Sequence, residues 1–408
     1  MLRSWSNTLI SVRQATQRNV GRKTAGIDGE VALTSPARME LAVQVHRDAS
    51  SWQPRPVKRV YIPKAGNRAK LRPLGIPVIA DRCHQGRVRA ALEPEWEARF
   101  EPKSYGFRPG RSCHDAIQAI YTVCRGRGAK RVWALDADLA AAFDKIDHSR
   151  LLESLGSFPA RDLIRDWLKA GVFEAGKGFA PTDEGTPQGG VISPLLLNIA
   201  MHGLEEAAGV RYINSGRHAG QTKAGSPVLV RYADDLVALC HTQWQAEQVK
   251  VKLAEWLAPR GLIFNEDKTR IVHVGRSGFD FLGFNVRRYH GKLLIKPIQG
   301  SHPANPGTAP NGDPRLAWIQ RAGGHLRAEP RREGVGSLLP GCGVEEDVQR
   351  LGRLPVDAHL QMGDLQPPQQ VEMVGLGPLL RQIQQVQEQP LGVRRRRQRR
   401  PPGTVCLD

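Results

Sequence analysis

Residues 228–240 read Val-Leu-Val-Arg-Tyr-Ala-Asp-Asp-Leu-Val-Ala-Leu-Cys, and the adjacent carboxylates inside that apolar run constrain the fold more than any other feature of the chain. The β-branched and apolar residues on either side favour strands, whereas Asp tolerates turn geometry. The segment therefore predicts a tight hairpin with Asp234 and Asp235 at its tip. Along a straight strand neighbouring side chains diverge to opposite faces; at a turn both are presented at one place. Two anions held so close repel each other, and burying them is costly unless positive charge compensates. A divalent cation would supply that charge. A solvated turn is the commoner meaning of an isolated Asp-Asp, so the remaining sequence has to decide.

It provides a third carboxylate. Residues 131–144, Arg-Val-Trp-Ala-Leu-Asp-Ala-Asp-Leu-Ala-Ala-Ala-Phe-Asp, predict a buried strand running out into Asp136, Asp138 and Asp144. Period-two alternation puts Asp136 and Asp138 on one face and leaves open which of them joins the hairpin pair. Three such carboxylates suit two divalent ions about 4 Å apart, the arrangement that activates an attacking oxygen and stabilises a leaving one in polymerases and nucleases. Mg²⁺ is the expected ion, because it takes hard oxygen ligands and bridges to substrate phosphates.

Charge points the same way. The chain of 408 residues has a formal net charge of +19, and residues 1–297 carry +16 of it. A polyanionic partner is the economical explanation, and nucleic acid is the commonest one. Six scattered cysteines, with no paired spacing, argue against structural zinc and against a disulfide framework. No run is long and apolar enough to suggest a membrane span, and the expected location is cytoplasmic.

Strands are predicted over 57–63 and 71–76 around a turn at Gly66 and Asn67, and again over 131–138, 270–274 and 279–286. Helices are predicted over 78–98, 114–124 (capped by Ser112), 148–155, 160–170, 190–207 and 243–259. Strands mixed with helices, without a repeated βαβ period, indicate an α+β fold.

The motifs also occur in a telling order: Thr24-Ala-Gly-Ile-Asp-Gly29, Lys64 with Leu71-Arg-Pro-Leu-Gly-Ile-Pro77, and Ser104-Tyr-Gly-Phe-Arg-Pro-Gly110. Then come Asp138 with Phe143-Asp144, Gly185-Thr-Pro-Gln-Gly-Gly190 with Ser193-Pro194, Tyr232-Ala-Asp-Asp235, Gly261 with Asn265 and Lys268, and Phe281-Leu-Gly-Phe284. In this order and spacing the chain resembles a group II intron reverse transcriptase, the protein that also serves as maturase for its own intron. The resemblance implies the fingers and palm of a right-hand polymerase, with an RNA template (group II intron RNA), a DNA primer and dNTPs as partners. It implies that Asp138, Asp234 and Asp235 ligate two Mg²⁺ ions, with Asp138 preferred over Asp136 for its spacing from Phe143. Phe143 would stand against the sugar 2′ position, Lys64 and Arg72 would hold the triphosphate, and Lys268 would assist near the pyrophosphate. Gln188, Gly189 and Tyr232 would contact the nucleotide. Arg108 and Arg111 would either touch the template backbone or brace the fingers.

The expected domains are a partial N-terminal segment at 1–52, fingers and palm at 53–297, and a tail at 298–408. Lys296, Tyr289 and Phe284 are the last Lys, Tyr and Phe of the chain, although more than 110 residues follow Lys296. Lys, Phe and Tyr share AT-rich codons, so their joint loss beside retained Arg suggests a GC-rich gene read out of frame, with no thumb recognisable after Pro297. On that reading the run Arg394–Arg397 with Arg399 and Arg400 is accidental. Two other functions stay open: a non-catalytic RNA-binding splicing helper, and an inactive fragment of a decayed retroelement.

Overall fold

A computed structural model describes residues 1–64 and 67–298, and all of these fall within one compact unit. In chain order the elements begin with α1 (Trp5–Arg13), α2 (Ser35–Arg47), β1 (Val57–Lys64), β2 (Asn67–Ile76), α3 (Ile79–Arg99), α4 (Cys113–Cys124) and β3 (Trp133–Asp138). They continue with α5 (Ala142–Lys145), α6 (His148–Leu155), α7 (Arg161–Lys169), β4 (Val172–Glu174), β5 (Gly178–Ala180), α8 (Ser193–Ala200) and α9 (Leu204–Ala207). Last come β6 (Val228–Tyr232), β7 (Asp235–Cys240), α10 (Gln243–Leu257), β8 (Arg270–His273), β9 (Phe279–Phe281), β10 (Phe284–Tyr289) and β11 (Lys292–Pro297). The tail from 299 onward lies outside the described residues, as does the centre of the turn at Gly66.

The mixed α+β architecture is organised around an antiparallel sheet of order β6-β7-β3-β8. Its strands are apolar on both faces because both are covered. On β7, Leu236, Ala238 and Cys240 enter one core with α6, α8 and α10, while Val237 and Leu239 enter a second core with α4 and the β9–β11 sheet. A second four-stranded sheet, β2-β1-β4-β5, stands apart, with β4 parallel to β1. A third core closes α1 and α2 on the start of α3 through Val12, Leu41, Val45, Ile79 and Cys83.

Two predicted elements are divided. The helix expected over 190–207 is α8 and α9, separated by a turn whose Gly203 is left-handed (φ 100) and sits where a Cβ would lie 3.3 Å from the Trp256 ring. The strand expected over 279–286 is β9 and β10, because Leu282 and Gly283 both take positive φ (50 and 82), as a two-residue type I′ hairpin requires. The helices α1 and α2 and the β4–β5 hairpin do not stand out from the sequence. Elsewhere local chemistry explains the boundaries: Ser112 and Asp115 form a capping box at α4, and Asp147 caps α6 by accepting from Arg150 N at 2.8 Å.

Candidate active site

The Asp-Asp hairpin is as tight as a hairpin can be. Tyr232 pairs with Asp235 across β6 and β7, so only Ala233 and Asp234 form the loop. Ala233 is left-handed (φ 57), a conformation that disfavours a residue with a Cβ and persists only where its surroundings enforce it. The enforcement comes from beneath. Arg231, 2% exposed, donates from Nη1 to the Ala233 carbonyl (3.1 Å) and to Asn198 Oδ1 (2.9 Å), and from Nη2 to Ser104 Oγ (2.7 Å). Asn198 Nδ2 in turn donates to the Gly106 carbonyl at 2.9 Å. A Cβ on Gly106 would fall 2.2 Å from Ala233 N, so only glycine lets the 104–110 loop lie against the turn. Burial pushes the Arg231 pKa down to about 10, and the guanidinium remains charged below the two carboxylates.

Cross-strand register places the two candidate aspartates differently. Asp138 is the partner of Asp235 across β3 and β7, whereas Asp136 lies opposite Val237 and forms an ion pair with Arg270 on β8 (Nε to Oδ2, 3.0 Å). Both point to the same face, as alternation predicts. Asp138 Oδ2 is bound by Lys268 Nζ at 2.6 Å, and its backbone carbonyl accepts from Asn265 N at 2.8 Å. Burial raises the pKa of Asp234; it raises that of Asp235 to about 7, helped by the charges of Asp234 and Asp138. A cleft of about 370 Å³ opens here, lined by Asp136, Asp138, Asp235, Lys268, Asp280 and Phe281.

Among the described residues, no group of three or more Asp, Glu, His or Cys side chains is arranged to hold a metal ion as it stands. The donor chemistry nevertheless fits a divalent cation. Asp138 on β3 is the register partner of Asp235, Asp234 adjoins it at the hairpin tip, and burial raises the pKa of both hairpin carboxylates; Lys268 forms its ion pair with Asp138, while its charge also acts on Asp234 and Asp235.

The residues expected at the nucleotide surround this centre unevenly. Arg72 is exposed on β2 and close enough to Asp234 to lower its pKa. Lys64 ends β1, and its side chain lies outside the described residues. Phe143 is half-buried against the main core, its carbonyl accepting from Thr186 N at 2.6 Å. Gln188 Nε2 reaches Asp144 Oδ2 at 3.4 Å, and its carbonyl accepts from Gly75 N at 2.6 Å. Gly189 has φ 110, and a Cβ there would meet the Gly75 carbonyl at 2.5 Å. The close approach that this glycine permits is thus to β2. Tyr232 is half-buried between the two cores that flank the central sheet.

Arg108 braces. It is 5% exposed, donates from Nε and Nη2 to the Glu97 carboxylate, and donates from Nη1 to the Glu101 and Ser104 carbonyls, both at 2.9 Å. Arg111 likewise donates to the Pro102 carbonyl at 2.6 Å. Sequence reasoning missed Arg231 and Asn198, and it had Gly106 only as a member of the Ser104–Gly110 motif. The unusual charge inside an otherwise apolar β6 hinted at Arg231.

Residues 62–286 match the model for reverse transcriptase (RNA-dependent DNA polymerase), and residues 1–45 match the N-terminal domain of reverse transcriptase. Protein YkfC of Escherichia coli (strain K12) is 36% identical over 319 residues, covering 70% of this chain and 83% of that protein. Group II intron-encoded protein LtrA of Lactococcus lactis subsp. cremoris is 40% identical over 349 residues, covering 69% of this chain and 56% of its own length. The chain thus spans little more than half of that intron-encoded relative. Among solved structures, apo telomerase from Candida tropicalis covers 62% of this chain and 50% of its own at 14% identity and a TM-score of 0.45, too slight a likeness to add to the argument. Among the described residues, no helix is long and apolar enough to cross a membrane.

Proposed function

Because the chain belongs to the group II intron reverse transcriptase family, we propose that it is an RNA-directed DNA polymerase that adds dNTPs to a primer 3′-hydroxyl along an RNA template. The observation that carries this reading is the convergence of Asp138, its register partner Asp235, and Asp234 at the hairpin tip. Residues 53–297 then act as fingers and palm, with 1–52 as an N-terminal segment.

Asp138, Asp234 and Asp235 would hold two Mg²⁺ ions. Bound there, the ions supply activation of the attacking oxygen and charge neutralisation at the departing pyrophosphate. Everything else is positioning and electrostatics. Lys268, tied to Asp138, adds positive charge beside the carboxylates. Arg72 and Lys64 take the triphosphate, one as a planar fork and the other as a point charge. Phe143 stands against the sugar 2′ position, Gln188 and Gly189 line the nucleotide from the loop that abuts β2, and Tyr232 flanks the carboxylates. The net positive charge of residues 1–297 grips the RNA backbone.

The test is Mg²⁺-dependent primer extension on an RNA template with the parent chain and Asp234→Ala. The expected result is extension by the parent and a loss of about 10²–10³-fold or more in the variant, with no fall in thermal midpoint, since a buried, repelled carboxylate has been removed. No extension by the parent would sink the polymerase reading. Stimulation of intron splicing that survives in Asp234→Ala would instead favour the splicing helper.

A further inference from the structure

Phe107 holds a left-handed backbone conformation (φ 61) while its side chain stays 43% exposed. That combination is unfavourable twice over: a bulky residue rarely takes positive φ, and an exposed ring gains little from burial. Its neighbours leave no alternative. Gly106 is fitted against Ala233 and bound by Asn198, and Arg108 is locked to Glu97, Glu101 and Ser104. Residue 107 is therefore held between two fixed points. Backbone strain that the surroundings over-determine is a pointer to function.

The strained residue meets one ring. Phe107 and Phe143 lie edge-on, with centroids 6.0 Å apart and planes at 71°, the favoured arrangement for two aromatic quadrupoles. Among the described residues Phe107 is the aromatic ring in contact with Phe143. The Phe143 carbonyl is fixed separately by Thr186, so Phe107 acts on the orientation of the ring.

We infer that Phe107 is a positioning residue for Phe143, and that through it the 104–110 loop sets discrimination between deoxyribonucleotides and ribonucleotides. The inference rests on the reading of Phe143 as the residue against the sugar 2′ position. It also couples selectivity to the hairpin, since the loop that presents Phe107 abuts the Ala233 turn.

Single-nucleotide incorporation of a dNTP and its matching rNTP, opposite an RNA template, tests it in the full chain. Phe107→Ala is expected to lower the dNTP to rNTP ratio of kcat/KM about two- to tenfold, the span that an edge-to-face ring pair accounts for. The change should appear mainly as a lower KM for the rNTP, with dNTP kcat close to the parent's. Phe107→Tyr keeps the ring and should keep the ratio. In a Phe143→Ala background Phe107→Ala should add nothing, because the two act as a unit. An unchanged ratio, an equal loss with both nucleotides, or effects that multiply in the double variant would overturn the inference while leaving the polymerase reading intact. A parent that extends no primer overturns both. Phe107→Gly relieves the left-handed strain and serves if the alanine variant does not fold; if neither folds, the ring is structural and the inference falls.

Discussion

Arg231 decides where two carboxylates stand, although it touches neither in a hydrogen bond. It satisfies the Ala233 carbonyl and the Asn198 amide oxygen in a site closed to water. Arg231→Met preserves bulk but leaves both acceptors buried without their donor, at about 1–3 kcal/mol each. Urea unfolding should show a loss in that range or more; a change below about 0.5 kcal/mol, typical of an exposed site, would mean that the network does not hold the turn. Gly106→Ala should also displace the hairpin, since its Cβ would meet Ala233 N at 2.2 Å. Primer extension should fall steeply in that variant even where thermal stability falls only modestly. The role of Arg231 was not legible in the sequence, because an Arg in a strand ordinarily reads as solvated and its partner Asn198 lies 33 residues away; Gly106 was legible only as a member of the Ser104–Gly110 motif. The choice between Asp136 and Asp138 was half-legible: alternation gave the shared face, the family resemblance preferred Asp138 for its spacing from Phe143, and the cross-strand register pairs Asp138 with Asp235.

At the scale of elements, strongly patterned segments were readable and those shaped by distant contacts were not. α3, α4, α6 and β3 lie close to where periodicity and capping residues put them. The break between α8 and α9 falls at the left-handed Gly203, which lies against Trp256, remote in sequence, and the N-terminal helices are modestly amphipathic pieces that gain stability by packing on α3. That packing has a pH signature. His84 of α3 is buried, stacked on Trp52 with ring centroids 4.8 Å apart, and faces Arg87 at 3.5 Å with Asp48 as the nearby anion. Burial and then the Arg87 charge lower its pKa from 6.5 to about 3. The folded state therefore prefers neutral His84. Its contribution is fully present above pH 6.5 and is lost as the pH falls towards 3, by about 1.4 kcal/mol per unit. Thermal midpoints measured from pH 7 to pH 4 should fall less steeply for His84→Gln than for the parent. Equal slopes would show that His84 does not carry this acid sensitivity.

For the whole molecule the charge and the composition make separate claims. With +16 on residues 1–297, RNA affinity should weaken steeply with salt, at a logarithmic slope of about −3 or steeper if four or five phosphates are neutralised at about −0.7 each. Fluorescence anisotropy across a KCl series checks this, and a slope near zero would remove the electrostatic argument for RNA. The composition claim concerns residues 298–408, of which 299–408 lie outside the described residues. Selection on a solvated tail has no reason to remove Lys while keeping 14 Arg, or to lose Lys, Tyr and Phe together; a shift of reading frame in GC-rich DNA does both at once. Such a shift leaves the correct codons in place, so the coding DNA beyond codon 298, translated in its other two frames, should yield a helical continuation in which Trp, Tyr and Lys return. That continuation would supply the primer and template grip that the central sheet and its carboxylates do not provide by themselves. Restoring the frame should then lengthen the products of primer extension without altering the rate of the first addition. If both alternative frames hold only stop codons and unpatterned sequence, the basic run at Arg394–Arg397 regains its standing as a genuine RNA-binding arm, and its replacement by Gln should flatten the salt dependence.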